Sequence, residues 1–291
     1  MFKLFSQKKS PTLSFRFITG DLMFAIRMIN FLKKYEIWIF LALAPLLNFV
    51  ITYLKSRGLI DFFPYTNGRF YALMFLLLFI VKITKGTDGI KNLFRPMLIW
   101  KVHPKWYLFG LLFAFSIGLL TLSIVAFYNG DMSILDFEIY IPTLKFTLFL
   151  LSWAFLGEVV WIGYAVRELS KIIKPFYASL IIGFVWSLWW LPSVFINVGV
   201  IENLPVWPLF LNMMGAAGMC TIVYAKTKSG LCVLVIQSML NMSLVMLPIS
   251  PDAGDNTYPI FAVLYFLIML IFMYFMPPKI NEASKELKSV Y

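Results

Sequence analysis

Residues 106–127 read WYLFGLLFAFSIGLLTLSIVAF, twenty-two positions without a charged side chain. As a helix this run extends about 33 Å, enough to cross a bilayer's hydrocarbon core. It has no strict alternation of apolar and polar residues, and lipid offers backbone N–H and C=O groups no partner, so helix is the form such a run takes in a membrane. Seven more runs of this kind lie at approximately 37–54, 70–84, 143–166, 176–200, 207–225, 229–248 and 259–276. The run at 70–84 is the shortest. The reading is an all-α, polytopic bundle of about eight membrane-spanning helices.

Composition agrees with this. Of 291 residues, 61% are hydrophobic and 13% charged, and mean hydropathy is +0.84, whereas soluble domains carry about a quarter charged residues. Lipid is therefore the expected principal contact. The net charge of +11 is mainly a topology signal. With the N-terminus inside, twenty-one Lys and Arg fall on the inner side and four, Lys55, Arg57, Arg69 and Lys145, on the outer. That asymmetry predicts cytoplasmic termini. Basic residues do not alternate with stacking aromatics on one face, so nucleic acid is not an expected partner.

Three regions follow. Residues 1–36 form a basic N-terminal tail in which Phe15–Phe31, mixing apolar groups with Arg16 and Arg27, resembles an interfacial helix. Residues 37–276 form a single transmembrane domain, and 277–291 a cytoplasmic C-terminal tail. The tail at 1–36 lacks the uninterrupted apolar core and small-residue cleavage pattern of a signal peptide. Residues 88–106, DGIKNLFRPMLIWKVHPKW, also have an interfacial pattern of bases and bulky apolar groups.

Polar groups inside spans need a physical reason. Glu158 is the acid within these eight runs, in LLSWAFLGEVVWIGYAVREL (150–169), about ten residues before Arg167 and hence toward the inner half of the bilayer. Gln237 and Asn241 stand one helical turn apart and share a face. Either set serves a site or joins helices by hydrogen bonds worth about 0.6 kcal/mol each. Asn48, Asn197 and Asn212 are read as such joints, and Gly110, Gly118, Gly215 and Gly218 as close-contact positions. His103 is the single histidine, placed at headgroup level. One histidine excludes a two-histidine zinc motif, and one intramembrane acid excludes a paired-aspartate centre. Cys220 and Cys232 suggest neither a disulfide framework nor a metal site. No cofactor and no metal is expected.

Four stretches in order carry a family resemblance: LFRPMLIWKVHPKWYLFGLL (93–112), GEVVWIGYAV (157–166), ASLIIGFVWSLWWLPSVF (178–195) and MMGAAGMCTIVYAKTKSGLCVLVIQSMLNMS (213–243). Together, over about 90–248, they resemble the CPBP family of membrane endopeptidases, which includes the type II CAAX prenyl endopeptidases. Family members show a Glu-Glu pair followed by Trp-Arg-Gly-Tyr, a Phe or Trp three residues before Trp-His-Leu-Pro, and a His with Asn or Asp four residues on. Aligned on Trp161, Gly163 and Tyr164, this chain retains Glu158 but carries Gly157 for the first glutamate and Ile162 for the arginine. Trp186 keeps the aromatic, Trp190 replaces a histidine, Gln237 replaces the other, and Asn241 is retained.

The resemblance implies a hydrolase in which glutamate and histidine activate water and asparagine holds the oxyanion. Four of the six site positions have changed, and Gly, Trp and Gln cannot accept a proton as a general base does. The expectation is therefore a catalytically degenerate CPBP protein that binds a membrane peptide, lipid or partner protein. Glu158 and Asn241 are its retained catalytic positions, and Trp190, Gln237, Gly157, Ile162, Trp161 and Trp186 its binding positions. The alternative is an active glutamic-type intramembrane endopeptidase cleaving CAAX-like or other membrane-associated peptides. The expected location is a prokaryotic plasma membrane. A transporter is the weaker third class, since no inverted hydropathy repeat is evident.

Overall fold

The structure is a computed structural model that describes residues 12–254 and 256–280, with the side chains of 12–25 and of 253 excluded. The first eleven residues and the expected C-terminal tail beyond 280 lie outside the described residues. Among the described residues eight principal helices follow one another: α1 Thr12–Ser56, α2 Phe62–Phe94, α3 Pro104–Asn129, α4 Leu144–Leu169, α5 Pro175–Phe195, α6 Val206–Thr227, α7 Gly230–Met246 and α8 Thr257–Phe275. Seven are long and apolar enough to cross a bilayer, and α7 is a shorter apolar helix of 17 residues. Many large apolar side chains face outward, such as Phe75, Phe79 and Tyr274. In water such a surface would aggregate; in lipid it is the solvated face.

Two spans differ in length from their hydropathy. The α2 helix begins eight residues before the apolar run and continues to Phe94, with a break at Gly86 (φ 68°, ψ −161°) that a side chain would resist. The α1 helix starts well before its span, and its backbone departs from helical values at Tyr35 (φ −112°, ψ 16°). The segment with interfacial character is thus helical and joined to the first span through this kink.

The helices are arranged around α6. Its apolar window is 72% buried, against 33–44% for the other spans, because small residues let neighbours approach on several sides. It packs on α5, α7 and α8. One flank consists of α1 and α2 with α5, the other of α3 with α7 and α8, and α4 stands between α2 and α7. At Gly183 of α5 backbone meets backbone, and an added Cβ would lie 2.5 Å from the Met214 Cα. Close backbone packing of this kind replaces the hydrophobic driving force that lipid does not supply.

Polar side chains tie the bundle at both ends. At the end holding the α1–α2 and α5–α6 connections, Ser193 accepts from Tyr65 Oη at 2.8 Å, from Asn48 Nδ2 at 3.4 Å and from Arg69 Nη1. Asn48 also donates to the Trp189 carbonyl, in the turn disturbed by Pro192 within α5. At the opposite end Tyr164 Oη donates to Glu36 Oε1 at 2.7 Å. Lys85 bridges Glu36 at 2.8 Å and Glu168 at 3.0 Å, and Lys171 joins Glu168 at 2.7 Å. Glu36 and Arg69, which flank apolar runs in the sequence, are both buried here, 8% and 0% exposed.

Candidate functional site

The α4 helix changes winding within its most informative stretch. Leu144–Val160 is α-helical, and Trp161–Val166 forms a π-helical turn before α-helix resumes at Arg167–Leu169. Gly163 fits there because a Cβ would sit 3.3 Å from the Glu158 carbonyl oxygen. Arg167 Nη1 donates to the Gly163 carbonyl at 2.9 Å and to that of Asn92 at 3.2 Å, satisfying a carbonyl that the altered winding would leave open. Single π turns inside helices frequently accompany functional sites. The consequence here is directional: beyond Trp161 the side chains no longer follow the face on which Glu158 stands.

That face looks into a cavity of about 440 Å³, within the usual range for small-molecule sites. Glu158, near the middle of the 26-residue α4, lines it with Gly157 from the preceding position. Gln237 and Asn241 of α7 contribute one side, Trp186 and Trp190 of α5 another. Phe62, Phe70, Phe146, Phe149 and Trp153 complete an aromatic wall, and Gly199, Val200, Ile201 and Leu204 of the α5–α6 connection form a rim. The cavity extends from the Glu158 level toward the bundle end opposite the Glu36–Lys85–Glu168 cluster. With the termini cytoplasmic, as the charge asymmetry predicts, that end is extracytoplasmic.

Six of the eight residues singled out from the sequence therefore meet around one space: Gly157, Glu158, Trp186, Trp190, Gln237 and Asn241. Trp161 and Ile162 are each 1% exposed and take part in the packed core instead. Trp161 stacks behind the wall on Trp186, with ring centroids 5.8 Å apart and planes 21° apart. It thus fixes the orientation of an indole that does line the cavity.

Trp190 occupies a position where an imidazole would be expected, yet it leaves the space open. Its ring lies along the wall in edge contact with Phe70 at 5.8 Å and Trp189 at 5.1 Å, and Arg69 covers it at 4.6 Å from guanidinium carbon to ring centroid. Phe70 in turn stacks on Trp153 at 5.0 Å, and the Trp153 indole N–H donates to Asn67 Oδ1 at 3.2 Å. Rings held on both faces in this way form a rigid wall.

The polar floor is sparse. Neither carboxyl oxygen of Glu158 has a hydrogen-bond partner of normal geometry. The neighbouring Cys220 thiol is directed to Gln237 Oε1, at a sulfur–oxygen distance of 3.8 Å. A buried carboxyl of this kind is costly, and a polar group from an occupant would offset the cost. His103 is distant in role: it is exposed and caps the start of α3, its Nδ1 accepting the Lys105 N–H at 3.2 Å. Among the described residues no three His, Cys, Asp or Glu side chains are grouped closely enough to hold a metal ion.

Arg69 was not a candidate in the sequence, where it flanks an apolar run and resembles a loop charge. Its neighbour Phe70 and the residue a turn earlier, Thr66, both line the cavity. The available signal was the aromatic density of Phe62, Phe63, Tyr65 and Phe70 around it.

Comparison with known proteins converges on the same helices. Residues 140–243 match the family model described as type II CAAX prenyl endopeptidase Rce1-like, an interval running from just before α4 to Ser243 of α7. The chain is 27% identical over 234 residues to CAAX prenyl protease 2 of Methanococcus maripaludis, an alignment covering 70% of this chain and 84% of that protein.

Proposed function

We propose that this chain is a member of the CPBP family, the membrane proteins related to type II CAAX prenyl endopeptidases, a reading supported by the family-model match and the archaeal relative, and that it binds an apolar, membrane-derived ligand in the Glu158 cavity and has lost the hydrolytic chemistry of that family. The observation that carries this reading is an open, aromatic-lined space of about 440 Å³ in which the positions expected to titrate hold Gly157, Trp190 and Gln237. Ile162, the fourth changed position, is in the core. Hydrolysis by an activated water requires a group that takes a proton and another that returns it to the leaving group. Apart from the Tyr258 phenol, which is no general base at neutral pH, Glu158 is the one titratable side chain in the cavity lining. Binding needs neither step, and the rigid ring wall with few polar groups suits an apolar chain. The proposal extends to a prokaryotic plasma membrane as the location, which the archaeal relative supports, and to residues 37–276 as one membrane domain.

Retention of a ligand tests the proposal. Purified wild-type protein is expected to carry an apolar occupant detectable by native mass spectrometry. Alanine at Glu158, Trp190, Gln237 or Asn241 is expected to lower that retention, most strongly at Trp190, which is part of the wall itself. Equal retention in all four variants would remove the cavity from the account.

One observation favours a second reading. Glu158 and Asn241, the retained general-base and oxyanion positions of the family pattern, line the same cavity. On that reading the chain is an endopeptidase with a reduced centre, and Glu158→Gln abolishes cleavage of a prenylated or other membrane-associated peptide.

A further inference from the structure

Arg69 is fully buried in α2 and enclosed by aromatic rings. Its guanidinium carbon lies 4.6 Å from the Trp190 centroid, 5.3 Å from those of Tyr65 and Phe70, and 5.5 Å from that of Trp189. Nη1 donates to Ser193 Oγ and Nη2 to the Gly199 carbonyl, while Nε has no partner. Every polar contact is thus to a neutral dipole. The ion pairs among the described residues belong to Lys85, Lys91 and Lys171, and Arg69 has no carboxylate of its own.

A buried cation without a counter-charge is expensive in a membrane protein, and ring faces and hydroxyls offset it only in part. Its position suggests what completes the compensation. Thr66, Phe70, Trp190 and Gly199 surround the guanidinium and also line the cavity, so the charge lies one side-chain layer behind the wall, near the rim. Glu158 is deeper, fourteen positions into α4 and thus about 20 Å along the helix from its outer end. Glu202, the acid on the α5–α6 connection, is exposed, where water and salt screen it.

Resting on the reading of the cavity as a ligand site, we infer that Arg69 makes it selective for single-chain amphiphiles with an anionic head. The apolar chain lies along the aromatic wall, and a carboxylate or phosphate sits at the rim beside Thr66 and Gly199. A lipid suits this lining better than a peptide does. An extended peptide brings an N–H and a C=O per residue, while the polar side chains around the cavity are few, chiefly Thr66, Glu158, Gln237 and Asn241. Unmatched peptide groups would each cost free energy on entry.

The test uses the full-length purified protein in non-ionic detergent with four ligands that share one mid-chain brominated hexadecyl tail and differ in head: carboxylate, phosphate monoester, hydroxyl and trimethylammonium. Bromine quenches tryptophan, and Trp153, Trp186 and Trp190 line the cavity. A Trp190→Phe protein identifies the part of the signal that belongs there. The two anionic ligands are expected to bind about tenfold tighter than the alcohol, the factor given by a unit charge about 10 Å away at an effective dielectric of about 20, and the cationic ligand weaker still. Arg69→Lys keeps the ranking and Arg69→Gln removes it. Equal affinities for alcohol and carboxylate in the wild type would overturn the head-group inference while leaving the cavity reading intact, whether or not the Arg69 variants fold. Absence of quenching by every ligand would instead sink the cavity reading itself. Displacement of the brominated carboxylate by inorganic phosphate alone, or by an apolar peptide with a free C-terminus at much lower concentration, would overturn the lipid assignment.

Discussion

Gly183→Ala tests the packing that shapes the cavity. A Cβ at Gly183 would stand 2.5 Å from the Met214 Cα, 2.8 Å from the Met213 carbonyl oxygen and 2.9 Å from the Met214 nitrogen. These are backbone atoms, so no rotamer change relieves the overlap. Restoring ordinary carbon contact at about 3.5 Å requires α5 and α6 to separate by about 1 Å. Overpacking of this size costs about 1–3 kcal/mol, and with about 2–4 °C per kcal/mol for a chain somewhat smaller than this one, the melting temperature should fall by about 2–12 °C. The same movement shifts Trp186 and Trp190 away from Leu209 and Met213 across the cavity, so ligand retention should weaken along with stability. Gly157→Ala is the control: its Cβ would meet Trp161 and Trp186 atoms at 3.9 and 4.0 Å, ordinary contacts, and its effect should stay within about 0.5 kcal/mol. Thermal unfolding of the purified variants in one detergent, followed by thiol exposure of buried Cys220 and Cys232, measures both. A Gly183→Ala protein that melts with the wild type would refute the close α5–α6 approach.

Other outcomes follow from the polar ties. Lys85→Met strips Glu36 and Glu168 of a shared cation, the three side chains being 32%, 10% and 21% exposed. A loss of about 1–3 kcal/mol is expected, between exposed and buried pairs, and adding Glu36→Gln should recover part of it, whereas strictly additive losses would deny the coupling. Ser193→Ala leaves Tyr65 Oη and Arg69 Nη1 short of an acceptor, for about 1–3 kcal/mol, while Ser123→Ala on the exposed face of α3 should be near neutral; equal effects would contradict the role of Ser193 as a junction. For orientation, single cysteines replacing Lys145 or Glu202 should react with a membrane-impermeant maleimide in intact cells, and those replacing Lys171 or Lys226 should not. The reverse pattern would invert the topology.

Hydropathy and charge made the helices legible because a lipid solvent imposes them: a run such as 106–127 has few other stable fates. Glu158, Gln237 and Asn241 were legible for a related reason, as polar groups are conspicuous where they are expensive. Arg69 and Glu36 escaped because each adjoins an apolar run, and a charge at the edge of such a run reads as its boundary. Only the tertiary partners, Ser193 with the rings for Arg69, and Tyr164 with Lys85 for Glu36, reveal burial. Trp161 and Ile162 illustrate a different limit. Helical periodicity puts Ile162 one turn below Glu158 on the same face, but the π-helical Trp161–Val166 turn changes the phase, and nothing local in WIGYAV announces it. Likewise the sequence put Trp190 at a histidine position of the family pattern, while its orientation along the wall depends on Phe70 and Arg69 from a distant helix.

The most direct measurement is the fate of a prenylated peptide with a CAAX-type terminus incubated with the purified wild-type protein, read by mass spectrometry. Recovery of the peptide at its full mass, over a range of pH and with added divalent metals, is the outcome the account requires. Release of its terminal residues by the wild type, and not by Glu158→Gln, would contradict the claim that the centre has lost its proton-transfer chemistry.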